Sequence, residues 1–195
     1  MRHRRAYSTD ATSFLESNRR RMHAFWKAPV IFTLLMTMAA WVSWIVASGT
    51  VSAVRSGAVQ IYLPIGPERP LILADVLHMP VGFLLHALFM AMPVFMGCLV
   101  FLFPIRLADG NSVISRPVFW RIYLSVLGAL AGLGVFAIYA GMSEPERLLP
   151  LAGNLPLAIG VGGAFAGIHL IAGHIGARWL IWSSGLFDAR HVKVF

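Results

Sequence analysis

The sequence predicts an all-α integral membrane protein with four transmembrane helices, a short N-terminal interfacial helix and both termini in the cytoplasm. Three observations carry this reading. Of the 195 residues 58% are hydrophobic and only 12% charged, about half the charged fraction of an average soluble domain. The apolar residues are bunched into four runs almost free of charge, 29–54, 76–103, 122–142 and 151–180. Thirteen of the 16 lysines and arginines fall on one side of a chain that crosses four times.

A bilayer core about 30 Å thick takes about 20 apolar helical residues, and each run meets that length. Lipid offers the backbone no hydrogen-bond partner, so the runs have to be helices. Arg2, Arg4, Arg5, Arg19, Arg20, Arg21 and Lys27 precede the first run. Arg106, Arg116 and Arg121 lie in the second loop, and Arg178, Arg190 and Lys193 at the C-terminal end. The first and third loops hold only Arg55, Arg69 and Arg147. Short basic loops stay cytoplasmic, which puts residues 1–28 and 183–195 in the cytoplasm on either side of a membrane domain at 29–182. The expected location is the bacterial cytoplasmic (inner) membrane.

Taken in chain order, residues 1–12 are polar. Ser13 and Glu16 then stand at capping-box spacing, with Phe14, Leu15, Met22, Phe25 and Trp26 at helical intervals and Arg19, Arg20 and Arg21 largely on the other face. The pattern predicts a helix lying on the cytoplasmic leaflet before Pro29 opens the first span; a docking helix for a partner has the same pattern. The first apolar stretch is longer than a signal-peptide core and follows a long basic tail, so no cleaved leader is expected, although Ala47-Ser48-Gly49 has the small residues of a cleavage site.

The first loop carries Pro64, Pro67 and Pro70 in "LPIGPERP", the spacing of an extended polyproline spacer. Pro80 and Pro93 are expected to bend the second span. The cytoplasmic loop "IRLADGNSVISR" alternates around Asp109-Gly110, a hairpin signal that needs outside support to be stable. The third loop, "SEPERLLP", is too short for a domain. Trp26, Trp120, Trp179 and Trp182 are expected at headgroup level on the cytoplasmic side, and Trp41 and Trp44 deeper, as contact residues or outer anchors. Leu124 is expected to face lipid.

The net charge of +8 is read as orientation signal and attraction to anionic lipid, about 1 kcal/mol per basic group near the surface. No basic, aromatic-interleaved domain lies outside the spans, so nucleic acid is not an expected partner. The single cysteine, Cys98, excludes an intramolecular disulfide. P-loop, H-E-x-x-H and G-x-S-x-G motifs are absent. No carboxylate sits inside a span to relay protons or cations, which argues against a pump or secondary transporter.

Two small-residue motifs match on successive spans: "GALAG" at Gly128 and Gly132, and "GAFAG" at Gly163 and Gly167. Small residues four apart let helix backbones approach closely, so the third and fourth spans are expected to form a tight hairpin through these glycines. Four histidines lie in spans. His78 is near the outer interface beside Asp75, and His174 near the cytoplasmic one. His86 and His169 are near the middle, where ionisable groups are functional candidates by default. Around one helix His169 and His174 differ by about 140°, and His78 and His86 by about 80° and 12 Å of rise. A shared cofactor would therefore need His86 and His169 from different helices.

Four spans with histidines in the second and fourth, and "RRRMHAFW" before the first, resemble in outline the four-helix membrane cytochromes b of respiratory oxidoreductases. The chain departs from that pattern in the short spacing from His169 to His174 and in His23, which lies outside the first span. What the resemblance implies is haem b held by His86 and His169. The plainer expectation is that each imidazole bonds a carbonyl or hydroxyl of a neighbouring helix. Met79, Met90, Met92, Met96 and Cys98 share the second span with two histidines and allow a third reading, Cu(I) handling, although methionine also fills gaps beside kinked helices.

The favoured function is a non-catalytic small membrane subunit that assembles with, anchors or stabilises a larger complex of secretion, conjugation or respiratory type, with the lipid bilayer and other membrane subunits as partners. The alternative is the haem b-binding anchor. The basic asymmetry makes the topology testable. Reporters fused after Phe195 and within 109–112 are expected to read as cytoplasmic, and one within 65–69 as external. A periplasmic signal from the fusion after Phe195 removes either the four-span count or its orientation.

Overall fold

The computed structural model describes residues 3–64, 70–102, 117–142 and 153–184. Within them the chain is helical, with no strand, and has four long helices: α1 (His3–Ser56), α2 (Met79–Gly97), α3 (Pro117–Met142) and α4 (Leu155–Ser184). A 3₁₀ turn, Leu73–His78, leads into α2, and a π turn, Cys98–Leu102, follows it. By length and composition four segments can cross a membrane: Trp26–Ser56, Leu73–Phe101, Val118–Gly141 and Leu155–Ser183. This is the build of a multi-pass membrane protein.

The N-terminal segment differs from the expected separate interfacial helix. Helix α1 runs unbroken for 54 residues through Pro29, about 80 Å at 1.5 Å per residue. A helix turning from the surface into the bilayer needs a break, and the backbone has none. Proline removes one hydrogen bond, and the turns on either side continue through it. Pro80 also differs from expectation. It stands in the first turn of α2, where a missing N–H costs nothing. Only Pro93 is internal. The hairpin expected around Asp109-Gly110 and most of the proline-rich stretch lie outside the described residues.

The most extensive contact joins α3 to α4, the next joins α1 to α4, and α2 packs chiefly on α1. Two apolar clusters fill the bundle. Ala24, Ala28, Phe32, Trp120, Leu124, Ala177 and Leu180 form one, towards the end that carries Lys27, Arg121 and Arg178. Ala47, Val51, Tyr139, Val161 and Phe165 form the other, towards the opposite end. There Trp44 meets Tyr139 edge-on at 4.8 Å, and Phe165 packs on Phe136 and Tyr139, both at 5.6 Å. Trp120, in the first turn of α3, is buried in the first cluster, whereas Trp26 and Trp182 are exposed. Leu124, expected against lipid, is also buried.

The α3–α4 contact is a backbone contact. A Cβ added at Gly128 would strike the carbonyl of His169, one at Gly132 the carbonyl of Phe165, and one at Gly173 the carbonyl of Leu124. These pairs run antiparallel in constant register. Gly163 and Gly167, expected at the same contact, have open space where a Cβ would go. The fourth helix meets α3 through Phe165, His169 and Gly173, a face that the G-x-x-x-G spacing of 163 and 167 does not mark. Its Gly176 instead receives the Phe32 ring of α1.

Beyond α1 the chain turns back at Gly57, whose positive φ of 70° suits glycine and whose N–H closes on the Ala53 carbonyl at 3.0 Å. The extended segment that follows is hooked onto α1 by two serines. Ser52 Oγ donates to the Gln60 carbonyl at 3.0 Å and accepts from the Gln60 N–H at 2.8 Å. Ser48 Oγ accepts from the Tyr62 N–H at 3.1 Å. Ile61 accepts from the Leu71 N–H at 2.7 Å, which ties the outgoing and returning segments together. Helix α2 is then approached through Asp75, whose carboxylate accepts the Ile72 N–H at 2.9 Å. Asn154 caps α4 by accepting the Leu157 N–H at 3.1 Å.

The glycine seam generates a substitution pattern. Gly128→Leu, Gly132→Leu and Gly173→Leu are each expected to destabilise the detergent-solubilised protein by at least about 1–3 kcal/mol, the usual cost of overfilling a close contact. Gly163→Leu and Gly167→Leu are expected to melt with the wild type. Equal melting of all five variants would remove the seam.

Candidate functional site

Between the two apolar clusters lies a layer with different chemistry. His86 and His169 are each within a residue of the midpoint of their apolar helices, and Ser43 within two of its own. Helix α1 brings Thr37, Trp41 and Ser43 to this level, all buried. Among its neighbours Ala39 and Ala40 are small and buried, and Gly132 of α3 lies against the His169 Cβ at 2.9 Å from its own Cβ position.

Each histidine is engaged in its own way. Trp41 donates its indole N–H to His86 Nδ1 at 2.8 Å and packs edge-on against Phe83 at 5.8 Å. This joins α2 to α1, and it makes Trp41 a contact residue. His169 is fully buried, and its Nδ1 bonds the Phe165 carbonyl of its own helix at 2.8 Å. His86 thus bonds a neighbouring helix, but through an indole N–H rather than the expected carbonyl or hydroxyl, and the His169 bond stays within its own helix. One turn further along α4, His174 Nδ1 lies 3.4 Å from Ser125 Oγ of α3, an interhelical contact.

These bonds fix the protons. Indole only donates, so His86 Nδ1 is an acceptor and the neutral ring carries its hydrogen on Nε2. A carbonyl only accepts, so His169 Nδ1 carries the hydrogen and Nε2 holds a bare lone pair. A haem iron ligated by both rings needs a lone pair from each. His169 has one to offer and His86 has committed its own to Trp41, so the donor set does not fit a bis-histidine haem. His86 is bonded to α1, and the backbone and Cβ of His169 lie in the α3 seam. For copper, Met92 and Met96 are exposed on α2, and among the described residues no three His, Cys, Asp or Glu side chains converge.

The fold and this layer define a class: a four-helix membrane-type bundle whose polar groups are withdrawn from the lipid side into a mid-depth layer. Comparison with protein-family models, with curated proteins and with solved structures finds no match to this chain.

Sequence reasoning singled out His86 and His169 from their depth alone. It read Trp41 as a contact residue without its histidine partner, and it missed Ser43 and the Ser48–Ser52 hook, whose hydroxyls look like ordinary small residues of a membrane helix. The spacing of Ser48 and Ser52, one turn apart and followed by Gln60 and Tyr62 two apart, was the available signal. His86→Leu, which strands the Trp41 N–H, is expected to lower stability by about 1–3 kcal/mol, while His86→Gln keeps an acceptor and most of the stability. The absorption spectrum of protein from a haem-replete host is expected to be the same for all three. A stoichiometric, reducible Soret band lost in both His86→Gln and His169→Gln would reinstate the haem.

Proposed function

We propose that this chain is a small non-catalytic subunit of the bacterial cytoplasmic membrane, with both termini cytoplasmic, that assembles with, anchors or stabilises a larger multi-protein complex. The observation that supports the reading most directly is the state of the second span. Of its most apolar stretch only 6% is buried within the chain, against 50% for the first span and 28% for the third and the fourth.

Lipid supplies no hydrophobic drive for helix association, so membrane helices are held by close contact and polar bonds. Helix α2 has the Trp41–His86 bond and the partly buried Val94, with Cys98 just beyond it. Leu85, Leu88, Phe89, Met92 and Met96 are exposed, and methionine and aromatic side chains adapt readily to a partner's surface. The long α1 extends the interaction surface. Its turns before Trp26 carry Arg19, Arg20 and Arg21 on a continuous helical rod, suited to anionic headgroups or to an acidic face of another subunit. The basic asymmetry supports the orientation. A secretion, conjugation or respiratory assembly would each fit this build, and the haem-bearing alternative lacks a second free imidazole lone pair.

The test is isolation from native membranes in digitonin, with photo-crosslinking residues placed at Leu88 and, as a control, at Ile122 on α3. The expected result is a stoichiometric complex with protein crosslinks from position 88. A monomer crosslinked to lipid alone from both positions overturns the reading.

A further inference from the structure

Among the described residues, two buried side-chain atoms have no hydrogen-bond partner: Ser43 Oγ and His169 Nε2. Both side chains are almost wholly withdrawn from the surface, at 1% and 0% exposure. An unanswered polar atom at that depth costs about 1–3 kcal/mol, and two in one small bundle call for a common explanation.

Ser43 behaves differently from Thr37, Thr50 and Ser56 of the same helix. Thr37 donates to the Thr33 carbonyl at 2.8 Å, Thr50 to Val46 at 2.8 Å and Ser56 to Ser52 at 2.9 Å. The same bond, back to Ala39 or Ala40, is open to any helical serine. Ser43 leaves it unmade, and its hydroxyl is turned to something else.

The register of α1 and α4 shows what that is. Ala47 and Phe165 belong to one buried cluster, and Phe32 lies against Gly176, so the two helices run antiparallel. Ser43 is one turn before Ala47 and His169 one turn after Phe165. In antiparallel helices these two steps go the same way, about 6 Å along the bundle. The two unanswered atoms therefore come from facing helices at one level. Neither bonds the other, and the neighbours at that level, Ala39, Ala40 and Gly132, are among the smallest side chains available.

We propose that Ser43 Oγ and His169 Nε2 jointly hold one buried water molecule at the mid-depth of the bundle. The chemistry is complementary. His169 Nε2 is a bare acceptor because Nδ1 has given its hydrogen to the Phe165 carbonyl. A water donates one O–H to that nitrogen and accepts the Ser43 O–H, which answers both atoms. Two polar partners are the minimum with which buried waters are retained. The site takes a single small molecule that both donates and accepts, and its place between α1 and α4 makes the water a link between the helix carrying the N-terminal extension and the glycine seam.

The test uses the full chain, labelled with ¹⁵N-histidine, in phosphatidylethanolamine–phosphatidylglycerol bilayers and read by water-edited solid-state NMR. The Nε2 signal of His169 is assigned by its disappearance in His169→Gln. Magnetisation is expected to reach it from water, and Ser43→Val is expected to abolish most of that transfer. Ser43→Ala, which removes Oγ without adding bulk, serves as a second variant should valine disturb the fold. Absence of transfer in the wild type, including a hydrogen-bonded Nε2 shift without it, overturns the water in favour of a direct Ser43–His169 bond. Equal transfer in both Ser43 variants overturns the role of Ser43.

Discussion

The arrangement of this bundle depends on the backbone approach of α3 to α4. Water drives the apolar faces of soluble helices together, but lipid is as apolar as leucine and gives no such drive. What remains is dispersion between closely placed atoms, which falls steeply with separation. Gly128, Gly132 and Gly173 lie against the carbonyls of His169, Phe165 and Leu124 because only a residue without a Cβ fits there. That approach fixes which face of α4 is left for α1. Phe165 and His169 are clamped by the glycines on one side, and Phe32 and Ala47 of α1 reach α4 on the other.

The second constraint is the satisfaction of polar groups. An extended backbone beside a membrane helix is tolerated only where its N–H and C=O groups find partners in the protein. Ser48 and Ser52 provide them: the Ser52 hydroxyl is donor and acceptor towards Gln60, and the Ser48 hydroxyl accepts the Tyr62 N–H. The same accounting explains the mid-depth layer. Thr37 bonds its own helix, Trp41 bonds His86, and His169 bonds the Phe165 carbonyl. Polar side chains here act as connectors between elements or are turned inward, and the lipid-facing surface is left to leucine, valine, phenylalanine and methionine.

This division bears on function. A histidine placed at the centre of a span invites a cofactor reading, and the donor inventory decides how far that reading goes. One lone pair is free and the other is spent on an indole, which makes His86 a link between α1 and α2 and leaves His169 as the polar centre of the bundle. Among the described spans the second is the least engaged, with most of its apolar stretch unburied.

The sequence by itself determined the all-helical class and the four long apolar helices, though not the join of the N-terminal segment to the first of them, because a bilayer requires each span to be long, apolar and helical, and these are properties of a contiguous stretch. It also located Gly128, Gly132, His86 and His169 by spacing and depth. Tertiary structure decided the rest. The spacing of Gly163 and Gly167 equals that of Gly128 and Gly132, but rotation of α4 about its axis turns Gly173 to the seam and leaves 163 and 167 in open space. Leu124 and Trp120 read as lipid and interface residues, and both are buried because α3 is enclosed on that face by α1 and α4. Pro29 reads as a helix start, yet α1 passes through it. Periodicity tells which residues share a face of a helix. The neighbour each face meets is set by how four helices rotate and slide against one another, and that is a property of no single segment.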